Sequence, residues 1–227
     1  MSIDDNTFVV NPYIAGSPVK DPAMFFGRDD VYAWLRQHLR GEYQDNAIVL
    51  YGERRTGKTS VLYHMKNKLD PARYVPVLLD LQGMRLEGMD GFLWETARKV
   101  VLALRGVEGI PLLDRPQRRD FEQNPLDYFE DAFLLPIIAA LGERRLLFMF
   151  DETNRLEEKV NSGELPPDTF DYLRALIQHV SRLNFIFSIG SRIEEARAGS
   201  NALFNLAVYR KISFLERDYA EDLIVRP

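Results

Sequence analysis

The stretch GERRTGKTS at 52–60, directly behind the apolar run AIVLY at 47–51, constrains this chain more than any other feature. Gly52, Gly57, Lys58 and Thr59 match G-x-x-x-x-G-K-[ST]. The run before the loop is short and continuously apolar, as in a strand buried on both faces. After it, Val61, Leu62, Met65 and Leu69 recur at helical spacing, and Pro71 marks the end of the pattern. Strand, loop and helix in that order form a phosphate cradle. Glycines let the loop wrap, and the N–H groups of residues 57–60, at the helix N-terminus, point at the α- and β-phosphates. Lys58 reaches the β- and γ-phosphates and Thr59 offers its hydroxyl to Mg²⁺, with Thr56 and Ser60 completing the cradle. Arg54 and Arg55 occupy positions expected to face solvent.

Around the cradle, apolar strand patterns alternate with helical ones. Strands are expected at 74–81, 145–152, 184–190 and 207–214, besides the one at 46–51. Helices are expected from about residue 31 to 39, around 90–105, near 125–142 and from 168. The last of the first three carries the stripe Leu126, Phe129, Phe133, Ile137 and Leu141. Asp29 and Asp30 precede the 31–39 pattern, where carboxylates favour a helix N-terminus. Residues 157–167, polar and proline-containing, are expected to be a loop, and 215–227 begins a helix. Such alternation predicts an α/β fold with a parallel sheet.

The run RLLFMFDE delivers Asp151 and Glu152 to the C-terminal end of a strand, where open α/β sheets bind ligands. Asp151 would hold Mg²⁺, and Glu152 would orient and polarise the attacking water. In FIFSIGSR, Ser188, Ser191 and Arg192 fall at the end of a further strand. A hydroxyl or guanidinium there can contact a γ-phosphate, while Ser188 reads equally well as a plain strand residue. NKLD at 67–70 fits the N-K-x-D guanine pattern, but it sits on the helix leaving the cradle, so ATP is the expected nucleotide. His38, His64 and His179 are widely spaced within helical patterns and read as packing or surface residues.

The bulk numbers exclude several classes. The chain has no cysteine, so disulfides and thiolate chemistry are out. Its longest apolar stretch, FLLPIIAAL, is too short to span a bilayer, and the acidic N-terminus does not look like a signal peptide. The expectation is a cytoplasmic protein with no membrane partner. With 29 basic against 34 acidic residues, net −5, nucleic acid is an unlikely partner by this reading. The arginines of DRPQRRD and GERR are the only modest basic clusters.

Taken together, NPYIAGSPVKDPAMFFGRDD, GERRTGKTS, LLFMFDE, SIGSR and ISFLERDYAEDLIVRP resemble the additional-strand P-loop ATPases, and more narrowly the nucleotide-binding domain of STAND ATPases, relatives of the AAA+ proteins. That resemblance implies a three-layer P-loop NTPase fold with a parallel five-stranded sheet of order 5-1-4-3-2. It implies an extended lead-in at 1–25, an ATPase core at 26–214 and the start of a helical lid at 215–227. Gly27 and Arg28 would shape the adenine pocket, and Arg192 would touch the γ-phosphate. A Mg-dependent, ATP-hydrolysing signal-transduction switch follows, ADP-bound at rest and self-associating as a homo-oligomer with ATP. Lid contacts to adenine, a winged-helix domain and a sensor region would lie beyond residue 227. The alternative is an AAA+-like DNA-associated ATPase, an initiator or remodeller. A nucleotide-binding scaffold without turnover is disfavoured by the presence of both Asp151 and Glu152.

Overall fold

A computed structural model describes residues 16–40, 47–190 and 202–225. Its sheet has five strands, all parallel: β1 (Ile48–Tyr51), β2 (Tyr74–Asp80), β3 (Arg145–Asp151), β4 (Leu183–Ile189) and β5 (Val208–Lys211). Their order is β2-β3-β4-β1-β5, the arrangement the resemblance implies. β1 is flanked by β4 and β5, with Ile48 beside both Ile186 and Val208.

The apolar runs hide a period of two. On β3 and β4, Phe148, Phe150, Phe185 and Phe187 face one core layer, while Leu147, Met149 and Ile186 face the other. The first layer is covered by α3 (Gly88–Leu104), the helical segment 125–140 and α7 (Thr169–His179). The second is covered by α1 (Asp29–Leu39) and α2 (Lys58–Lys68), through Tyr32, Leu35, Val61, Leu62 and Met65. Helices on both faces explain why the central strands read as unbroken apolar sequence.

Two elements differ from expectation. The 125–140 segment is not a uniform α-helix: a turn α4 (Pro125–Asp127) leads into a π-helical stretch, Tyr128–Leu134, and then α5 (Leu135–Ala140). Pro136 has no N–H to donate to Ala132 and its ring crowds that carbonyl, so the wider turn relieves a clash an α-helix would contain. The expected loop at 157–167 is helical over its first part, in α6 (Asn154–Asn161). Leu156 is fully buried and Val160, one turn on, packs against the same core. Two apolar residues in so polar a stretch leave little periodicity to read. A final helix, α8 (Arg217–Val225), follows β5. No helix among the described residues is long and apolar enough to cross a membrane.

Candidate nucleotide site

The loop 52–57 joins β1 to α2 at the C-terminal edge of the sheet, and its two glycines serve different needs. Gly57 has φ 91° and forms the left-handed cap of α2. Gly52 is needed for space: a Cβ there would lie 2.1 Å from the Ile212 carbonyl oxygen, because Ile212 N–H donates to Tyr51 at 2.7 Å and draws the end of β5 close. Thr56 is buried and its hydroxyl donates to the Glu53 carbonyl at 2.9 Å. Lys58 Nζ reaches back over the loop and donates to the carbonyls of Gly52 and Glu53, both at 2.9 Å. Within α2, intrahelical bonding starts with Val61 N–H to the Gly57 carbonyl, so the N–H groups of the first turn face outward from the helix end.

Burial lowers the Lys58 pKa, and the negative charges of Glu152 and Asp151 oppose that shift. The lysine therefore senses both acids, and the two halves of the expected site share one electrostatic environment. Asp151 ends β3 with 2% exposure, and its Oδ1 is buried without a hydrogen-bond partner. A buried carboxylate oxygen without a hydrogen-bond partner fits a Mg²⁺ ligand that keeps part of its hydration shell. Among the described residues no cluster of three or more His, Asp or Glu is arranged to hold a metal. Thr59, in the first turn of α2, is half-buried. Glu152 is exposed and has φ 55°, a left-handed backbone that a glutamate rarely adopts and that clusters at functional sites.

The strand ends are tied together around these acids. Leu81 N–H donates to the Asp151 carbonyl at 3.3 Å, and Thr153 N–H to the Ser188 carbonyl at 2.9 Å. Two residues here escaped the sequence patterns. Asp80 on β2 stands in register beside Asp151, a neighbour only strand pairing reveals. Asn154 Oδ1 accepts from Gly190 N–H at 3.1 Å and fixes the exit of β4. Ser188 is buried within the sheet beside Leu50. Ser191 and Arg192 lie outside the described residues.

Next to the loop is a cavity of about 390 Å³, in the size range of small-molecule sites. Met24, Phe25 and Phe26 line one side, Arg55, Thr56 and Gly57 the second, and Phe214, Leu215 and Leu223 the third. Of FFGRD, Phe25, Phe26 and Arg28 border the cavity, and Gly27 is not among its lining residues. Gly27 has φ 70° with the Tyr219 ring 3.0 Å from where a Cβ would sit. Arg28 donates through Nη2 to the carbonyls of Thr56 at 2.9 Å and Ser213 at 2.7 Å, bracketing loop and C-terminal segment; burial lowers its pKa against the pull of Asp30. Phe214, Leu215, Ala220 and Leu223 bring the C-terminal segment to the cavity. Arg54 and Arg55 are exposed, and Arg55 also lines the cavity.

The sequence matches no family model and no curated protein. Solved structures are similar in fold. The Aeropyrum pernix ORC2 protein in its ADP form superposes with a TM-score of 0.55 at 14% identity, over 88% of this chain and 50% of that one. The Aeropyrum pernix ORC1 protein in complex with DNA gives 0.52 at 16% identity, over 89% and 49%. Drosophila ORC bound to DNA gives 0.52 at 14%, over 87% and 45%. This chain spans about half the length of each. The likeness is that of the AAA+-like P-loop fold and does not extend to the STAND subclass. Two of the three similar structures are bound to DNA, which overturns the expectation that nucleic acid is an unlikely partner; an overall charge of −5 says nothing of local surface.

Proposed function

We propose that this chain is a Mg-dependent ATP-binding and ATP-hydrolysing module of a DNA-associated, AAA+-like machine. The observation that carries the nucleotide chemistry is the buried Asp151 carboxylate oxygen without a hydrogen-bond partner, its charge felt by Lys58, with a largely apolar cavity of about 390 Å³ next to the glycine-rich loop. The likeness to DNA-bound structures supports the setting.

Each residue has a role in that reading. The N–H groups of Gly57 to Ser60 cradle phosphate oxygens, with Gly52 and Thr56 holding the loop's shape. Lys58 leaves the Gly52 and Glu53 carbonyls for the β- and γ-phosphates. Thr59 and Asp151 hold Mg²⁺, which supplies charge neutralisation when bound. Glu152 orients the attacking water, and Arg192 meets the γ-phosphate charge. Gly27 and Arg28 shape the base pocket, Arg28 by tying the Thr56 and Ser213 carbonyls together through Nη2.

The test is ATP turnover and DNA binding measured on the same preparation. Lys58→Ala is expected to abolish nucleotide binding, and Glu152→Gln to retain binding while hydrolysis falls at least about a hundredfold. Unchanged nucleotide affinity in Lys58→Ala would refute the cradle. DNA affinity that falls steeply with salt supports the DNA-associated setting. A STAND-type switch, favoured by the sequence resemblance, uses the same chemistry; ATP-driven self-association with no DNA affinity at low salt would decide for it.

A further inference from the structure

We infer that His64 is a positioning residue for the nucleobase wall: together with Ser60 it clasps the backbone of Val19 and fixes the lead-in segment against the phosphate-binding helix. This deepens the nucleotide-site reading and rests on it.

Ser60 and His64 stand four residues apart on α2, so they share one face of the helix. Val19 crosses that face. Its N–H donates to Ser60 Oγ at 3.0 Å, and its carbonyl oxygen lies 3.0 Å from His64 Nε2. A carbonyl only accepts, so Nε2 carries the hydrogen and the imidazole is the donor. Both backbone groups of one residue are thus held by one helix. The imidazole is buried and also packs against Phe25, with ring centroids 4.3 Å apart and the planes tilted by 31°. Val19 and Phe25 both line the cavity beside the phosphate loop, whereas His64 does not reach it. His64 therefore acts on the cavity through its two neighbours.

The same helix opens with Lys58 and Thr59, so one rigid element carries the phosphate end of the site and positions the wall at the other end. An adenine nucleotide would engage both ends. Tripolyphosphate would engage the cradle alone. Loosening the clasp should weaken the first ligand and spare the second.

The experiment is calorimetric titration of ATP and of tripolyphosphate, each with Mg²⁺, into the wild-type chain, His64→Ala and His64→Gln, with circular dichroism to report the fold. His64→Ala is expected to bind ATP about tenfold more weakly and tripolyphosphate within about twofold of wild type, the scale of one lost hydrogen bond plus a loosened wall. His64→Gln, whose amide can donate to the same carbonyl, should recover most of the loss. Unchanged ATP affinity in a folded His64→Ala, or an equal loss for both ligands, overturns the inference while leaving the nucleotide site standing. Should His64→Ala not fold, His64→Phe, which keeps an aromatic ring against Phe25 but has no N–H to donate to the Val19 carbonyl, decides by the same split between ligands. A wild-type chain that binds neither ligand refutes the nucleotide site and the inference with it.

Discussion

At the scale of single residues, the cradle shows that one residue type can answer to two constraints. Gly57 is set by its dihedral angle and Gly52 by the Ile212 carbonyl. Gly52→Ala must push β5 away or distort the loop, at a cost of roughly 1–3 kcal/mol. Urea denaturation should show that loss, and nucleotide affinity should fall with it. His64 gives a second residue-scale expectation. Burial lowers its pKa in the folded chain from the ordinary value near 6.5. Between the folded and unfolded values the unfolded chain binds more protons, so stability is fully present above about pH 6.5 and declines as pH falls below it. His64→Gln should lack that part of the acid sensitivity. Parallel melting curves between pH 7 and 5 for the two proteins would expose the difference, and identical slopes would contradict it. The cradle itself was legible in the sequence because its residues are contiguous. Asp80 was not, because its place beside Asp151 exists only once β2 and β3 pair.

At the scale of elements, α6 is the instructive case. Its polar sequence reads as a solvated loop, yet Leu156 is fully buried and the helix runs straight out of the acid pair. Asn154, at its first turn, holds the Gly190 N–H, so the helix joins the end of β3 to the end of β4. Leu156→Ala is expected to cost about 2–5 kcal/mol, as a cavity under a short helix whose fully buried hydrophobic residue is Leu156. It should also raise the hydrogen-exchange rate of residues 154–161 and reduce any ATP turnover, since Glu152 sits immediately before. A stability loss without change in that exchange would place the cost elsewhere. The π stretch at Tyr128–Leu134 carries the same lesson. A stripe at spacing 3 and 4 announces a helix, but the turn type depends on how Pro136 is accommodated.

At the scale of the whole molecule, three sequence-distant segments meet around one cavity: the lead-in, the phosphate loop and the stretch from Phe214 to Leu223. Arg28 is the bracket among them, with bonds to Thr56 and Ser213. A ligand that fills this cavity would bind the folded chain and not the unfolded one. ATP at a hundred times its dissociation constant is therefore expected to stabilise the protein by about 2.7 kcal/mol, read as a rise in melting temperature. Lys58→Ala should show no such rise, and a shift of equal size in that variant would locate ATP binding somewhere else.

The sequence by itself determined the α/β class, the glycine-rich loop between β1 and α2 and the acid pair at the end of β3, because each is written in residues that are neighbours along the chain and obey a short period or spacing. Strand order required the added information of resemblance, and the structure agrees with it. Only the tertiary structure decided what lies across space: Ile212 against Gly52, Asp80 beside Asp151, the Val19 clasp, and a cavity wall built from residues 214–223. These contacts join positions far apart in the chain, and no local periodicity encodes them.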